Sequence, residues 1–200
     1  SHDLRNPLAA ASAAVELARQ RVDDPDDSLE RAANAHERMD DMIEGLLALA
    51  TAGETVDDLD RVSLDGTVRR VWSRLETADA TLTVEGDDAT ALADRDRLEQ
   101  LVSNLFRNAI DHAGEDVAVA VTVERDDDGI ALAIGDDGPG IPPEERERVT
   151  ERGVSLGGGT GLGLAIVGDI AEAHGWSLSV DEADAGGARF VIEGMEAADA

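Results

Sequence analysis

The 200-residue sequence contains no cysteine, no lysine and no tyrosine, and only two tryptophans and two phenylalanines. Without cysteine there is neither a disulfide framework nor a thiolate metal site. Without lysine, all 17 basic residues are arginine, set against 45 aspartates and glutamates for a formal net charge of -28. Phosphate backbones are held by clustered positive charge, so a nucleic-acid partner is excluded. No apolar run reaches the roughly 18 residues of a membrane span, and no signal-peptide pattern opens the chain.

Hydrophobic residues make up 42% of the chain and charged residues 31%, the balance of a globular protein with one large domain or two small ones. The acidity has a physical reading. Repulsion on this scale opposes a compact state in dilute buffer, whereas at molar salt the Debye length shrinks to roughly 3 Å. The charge is therefore expected to be an adaptation to a saline cytoplasm rather than a binding device. The chain opens at Ser1-His2 without a methionine. It is expected to be a cytoplasmic fragment whose upstream part, membrane segments included, is missing.

Two heptad stripes occupy residues 1–52. The first runs Leu4, Leu8, Ala11, Val15, Ala18, Val22, and the second Leu29, Ala32, His36, Met39, Ile43, Leu46, Ala50. Pro25 separates them, and Asp27 or Ser28 can cap the second helix. A hairpin with so narrow a stripe is economically buried by a second copy, giving a dimeric four-helix bundle. Residues 53–60 read as a linker. Beyond them strands (61–64, 82–84, 90–93, 117–124, 130–134, 178–180, 189–192) alternate with helices (65–78, 94–113, 161–174), with 82–84 and 90–93 expected to pair. This predicts an α+β domain over 61–195, a mixed sheet with helices on one face, and a frayed tail over 196–200.

Three segments carry chemistry. On the helix 94–113, Asn104, Asn108 and Asp111 fall within a narrow arc at about 100° per residue, beside the apolar arc of Leu98, Leu101, Leu105 and Ala109. Amides offer oxygen to a hard cation and nitrogen to phosphate without adding negative charge. A solvated polar face would contain the same residues. Gly135-Asp136-Asp137-Gly138-Pro139-Gly140-Ile141 follows a strand, where an aspartate can accept from an exocyclic amine and glycines admit a ring closely. A plain turn has the same composition. Gly157–Leu164 leads into a helix, and glycine backbone at a helix N-terminus suits anions. Neither the Walker A pattern nor G-x-G-x-x-G is present.

In this order the three segments resemble the N, G1 and G2 boxes of the GHKL ATPase superfamily. The opening Ser1-His2-Asp3-Leu4-Arg5-Asn6-Pro7-Leu8 is similar to the H box of sensor histidine kinases, and the resemblance covers essentially the whole chain. The acidity would make the source a halophilic archaeon. The resemblance implies autophosphorylation by ATP on His2, then transfer to an aspartate of a response-regulator receiver domain. It implies that Asp3 orients the His2 ring and that Asn6 positions water for the reverse, dephosphorylating reaction. It further implies ATP and Mg2+ as ligands. Asn108 would coordinate the metal with Asn104 in support, and Asp111 and His112 would line the ribose–phosphate side. Asp136 would read the adenine amine with Gly138, Gly140 and Ile141 around the base. Thr160, Gly161, Leu162 and Gly163 would wrap the triphosphate, and Glu144–Leu156 would form the lid.

Two departures from the family stand out. The phenylalanines that usually precede the lid are replaced by a region with Val149 and Val154 and no aromatic. The basic residue common on the N-box helix is missing, leaving Arg148 and Arg152 as candidate phosphate neutralisers. Two other readings remain: a regulator-docking module dominated by phosphatase activity, and an ATPase of the chaperone or mismatch-repair kind. His174, at a helix C-terminus, is expected to favour the helix dipole, and Trp72 and Trp176 to lie in the core.

Overall fold

The computed structural model describes residues 56, 59–75, 77, 79–114, 116–126, 129–146, 148–149 and 163–198. The chain divides into two compact units, Ser1–Thr51 and Ala52–Ala200, and every described residue belongs to the second. The expected hairpin, with His2, Asp3, Asn6 and His36, lies outside the described residues, as do Thr160, Gly161, Leu162, Arg152 and Val154.

Among the described residues, seven strands and four helices follow in the order β1 (Asp60–Ser63), α1 (Leu64–Trp72), β2 (Thr81–Gly86), β3 (Thr90–Ala93), α2 (Arg95–Ala113), β4 (Ala118–Asp126), β5 (Gly129–Gly135), α3 (Pro143–Arg146), α4 (Gly163–His174), β6 (Ser177–Glu182) and β7 (Ala188–Met195). A five-stranded mixed sheet has the order β2-β4-β5-β7-β6, in which only β2 and β4 run parallel. Alternation assigns its faces. Val119, Val121, Val123, Ile130, Leu132, Ile134, Phe190 and Ile192 are buried, while Thr122, Glu124, Asp181, Arg189 and Glu193 line a shallow depression on the other side. Helices therefore cover one face of the sheet.

The helices begin where side chains can satisfy their first amides. The Ser63 hydroxyl accepts from the Gly66 N–H at 3.1 Å, starting α1 at Leu64 rather than Asp65. The Asp94 carboxylate accepts from the Asp96 and Arg97 N–H groups at 3.0 and 3.1 Å, so Asp94 caps α2 instead of forming its first turn. Leu98, Leu101, Val102, Leu105, Phe106 and Ala109 give α2 its buried stripe. Phe106 is fully buried, and its ring meets Trp72 edge-on at 5.1 Å and 85°.

Two expectations are corrected. The segments 82–84 and 90–93 do not pair with each other: β2 lies beside β4, and β3 pairs antiparallel with β1 in a separate two-stranded sheet. Nor are residues 196–198 of the expected tail frayed. The Leu92 N–H donates to the Glu196 carbonyl at 2.9 Å, the Ala198 N–H to the Thr90 carbonyl at 2.8 Å, and Met195 is fully buried. These bonds extend the small sheet through its otherwise open edge. Among the described residues, no helix is long and apolar enough to cross a membrane.

Candidate nucleotide site

The site is built on α2. Its buried stripe turns the neighbouring arc toward the start of α4, and there Asn104 sits only 8% exposed. The amide nitrogens of Asn104 and Asn108 are both buried and have no partner among the described residues. A buried donor left unpaired costs about 1–3 kcal/mol, which a ligand that accepts the two hydrogens would recover. Their carbonyl oxygens face Gly163, the first residue of α4. A Cβ placed on Gly163 would lie 3.7 Å from each Oδ1, in the space between the two helices. Two carbonyl oxygens, two free amide donors and the positive end of a twelve-residue helix thus converge. This donor set fits a phosphate chain and a hard cation whose remaining ligands come from phosphate and water. No cluster of three or more acidic, histidine or cysteine side chains that could hold a metal by itself occurs among the described residues.

Asp136 stands one residue past β5 and is 9% exposed. Its backbone N–H donates to the Ala188 carbonyl at 3.0 Å. Its carboxylate Oδ1 accepts from the Gly138 N–H at 2.9 Å and the Ala188 N–H at 3.2 Å. One oxygen is thus committed to the backbone, fixing the direction in which Oδ2 is offered. Gly138 packs on Ala113, the last residue of α2, so closely that a Cβ would overlap that side chain. The turn bearing Asp136 therefore docks on the helix bearing Asn104 and Asn108. Gly140 completes the turn at φ 72°. The carbonyl of half-buried Ile141 accepts from Arg146 Nε at 2.9 Å, and Arg146 also pairs with Glu182 at 3.4 Å.

Asp111 and His112 are exposed on the last turn of α2. Arg148 is exposed and Val149 buried. Gly187 was missed by sequence reasoning: a Cβ there would overlap both the Asp136 carbonyl and its Oδ1. The Gly186-Gly187 pair between β6 and β7 was the available signal. The expectation for His174 is corrected too. Its Nε2 accepts the Asp94 N–H at 3.0 Å and its Nδ1–H donates to the Ile170 carbonyl at 2.8 Å, so the ring is neutral and does not act as a cation at the helix end.

Comparison with known proteins bears on the family. Residues 93–196 match the family described as histidine kinase-, DNA gyrase B-, and HSP90-like ATPase, and residues 1–55 match the His Kinase A (phospho-acceptor) domain. The sensor histidine kinase ZraS of Escherichia coli O157:H7 is 33% identical over 67% of this chain and 28% of its own length. The alginate biosynthesis sensor protein KinB of Pseudomonas aeruginosa is 29% identical over 96% of this chain and 35% of its own length. The chain thus spans about a third of each of these relatives. Among solved structures, full-length ShkA in complex with AMPPNP is 25% identical with a TM-score of 0.71, over 97% of this chain and 47% of that one. The chain belongs to the histidine kinase-, DNA gyrase B- and HSP90-like ATPase family, in the sensor histidine kinase group that joins such a domain to a His Kinase A phospho-acceptor domain.

Proposed function

We propose that this chain binds ATP with magnesium and transfers the terminal phosphoryl group to His2, from which it passes to an aspartate of a response-regulator receiver domain. The observation that carries the reading is the pair of amides of Asn104 and Asn108, whose buried nitrogens have no partner among the described residues and whose oxygens face the start of α4. Asp136 Oδ2 accepts from the adenine amine, held in aim by the two backbone amides on Oδ1. Gly138 and Gly140 keep that turn thin enough for the base, and Ile141 packs beside it. Asn104 donates to phosphate and Asn108 supplies oxygen to the metal, while Thr160, Gly161, Leu162 and Gly163 close around the triphosphate. Asp111 and His112 lie on the ribose–phosphate side. Magnesium, when bound, neutralises phosphate charge.

His2 attacks through a neutral imidazole nitrogen, the form that prevails above an unperturbed pKa of about 6.5. Asp3 accepts the proton of the other ring nitrogen, and Asn6 orients water when the regulator is dephosphorylated. Catalysis is then mostly positioning and charge neutralisation of a loose phosphoryl transfer. The matched phospho-acceptor domain supports a homodimer formed by residues 1–52, joined by 53–60 to the ATP-binding domain. The charge of -28 supports a saline cytoplasm as its setting.

Incubation with radiolabelled ATP and magnesium in molar potassium chloride is expected to give an alkali-stable, acid-labile label that His2→Ala abolishes. Label persisting in that variant would contradict the assignment.

A further inference from the structure

We infer that His174 is a positioning residue that holds α4 at a fixed height along α2, and so sets Gly163 against Asn104 and Asn108. The inference rests on the nucleotide reading above. α4 meets α2 at both of its own ends, against the middle of α2 and against its N-cap. At one, Gly163 faces the two asparagine oxygens; at the other, His174 Nε2 accepts from the Asp94 N–H at 3.0 Å. At 1.5 Å per residue, Asp94 to Asn104 spans about 15 Å and Gly163 to His174 about 16.5 Å. The spans match, so α4 runs antiparallel to the first half of α2 with a junction at each end of α4. A slide of α4 that breaks the His174 junction also moves its N-terminus past the asparagines.

The ring is fixed on three sides. Nδ1–H donates to the Ile170 carbonyl at 2.8 Å, and the imidazole stacks on Trp176 at 4.0 Å and 21°. A proton added at Nε2 would point at the Asp94 N–H, placing two donors face to face. Two charged side chains act on the ring, Asp94 favouring its protonation and Arg97 opposing it. The Asp94 carboxylate is already engaged by two backbone amides and lies 3.7 Å from Arg97 Nε. Burial, the largest influence, holds the imidazole below its ordinary value of 6.5. The joined arrangement therefore binds fewer protons than the separated one, and is lost as pH falls through the lowered value.

The test is ATP affinity with magnesium, measured on the full chain in molar potassium chloride from pH 8 to pH 5. Wild-type affinity is expected to fall on acidification by about fivefold, the equilibrium weight of one hydrogen bond, beyond any fall in His174→Gln. Glutamine offers an acceptor and a donor but does not titrate. His174→Phe keeps the stack on Trp176 but not the acceptor, and is expected to bind several-fold more weakly at pH 8. An identical pH profile in wild type and His174→Gln, or undiminished affinity in His174→Phe at pH 8, would overturn the inference. Failure of all three proteins to bind ATP at any pH would instead overturn the nucleotide reading, and this inference with it.

Discussion

At Asp136 the backbone occupies one carboxylate oxygen twice, which leaves the proposed recognition of the base to the other oxygen of the same side chain. The arrangement depends on a residue with no functional group of its own. Any side chain at Gly187 would overlap the Asp136 carbonyl and Oδ1, so Gly187→Ala must displace the carboxylate. Hydrogen bonds to charged groups contribute about 1.5–3 kcal/mol, which predicts at least about a tenfold loss of ATP affinity in this variant. Inosine triphosphate lacks the adenine amine, and its affinity should change less. Titration of both nucleotides measures the difference, and equal losses would argue for general distortion instead. Gly186→Ala is the companion variant, since a Cβ there meets nothing within 4 Å.

Elements differ in how far they were legible, and the distance to the deciding partner explains why. The Asn104–Asn108 face follows from helical periodicity alone, and the place of Asp136 from a strand that ends in glycine. Both are local. The partner of β2 is local to neither segment: parallel pairing with β4 becomes available only after α2 has crossed the sheet, whereas adjacency in sequence suggested β3. The Ala188 amide that holds Asp136 lies 52 residues away, and the Asp94 amide that neutralises His174 lies 80 away. No spacing rule reaches that far. Packing of α2 was legible as an apolar stripe, and it yields a stability prediction. Phe106→Ala removes a fully buried ring and its edge contact with Trp72, and should cost about 3–5 kcal/mol in denaturant unfolding. A cost below about 1 kcal/mol would mean that the Trp72–Phe106 cluster is not part of the core.

The whole molecule carries 45 acidic residues beside 17 basic ones, together with a site proposed to hold a polyanion. Coulomb repulsion from so many carboxylates would oppose ATP at low ionic strength, and molar salt reduces it to a contact-range effect. What remains is short-range: two amides, the start of a helix and one aimed carboxylate. On the proposed reading, the affinity therefore resides in a few neutral or pre-anchored groups and not in a basic patch. Calorimetric titration of ATP with magnesium in molar potassium chloride tests this most directly. One saturable site per chain is expected, weakened about tenfold or more in Asn108→Ala, which removes an amide without a partner among the described residues. No binding at saturating ATP, or an Asn108→Ala variant that binds as the parent does, would contradict it.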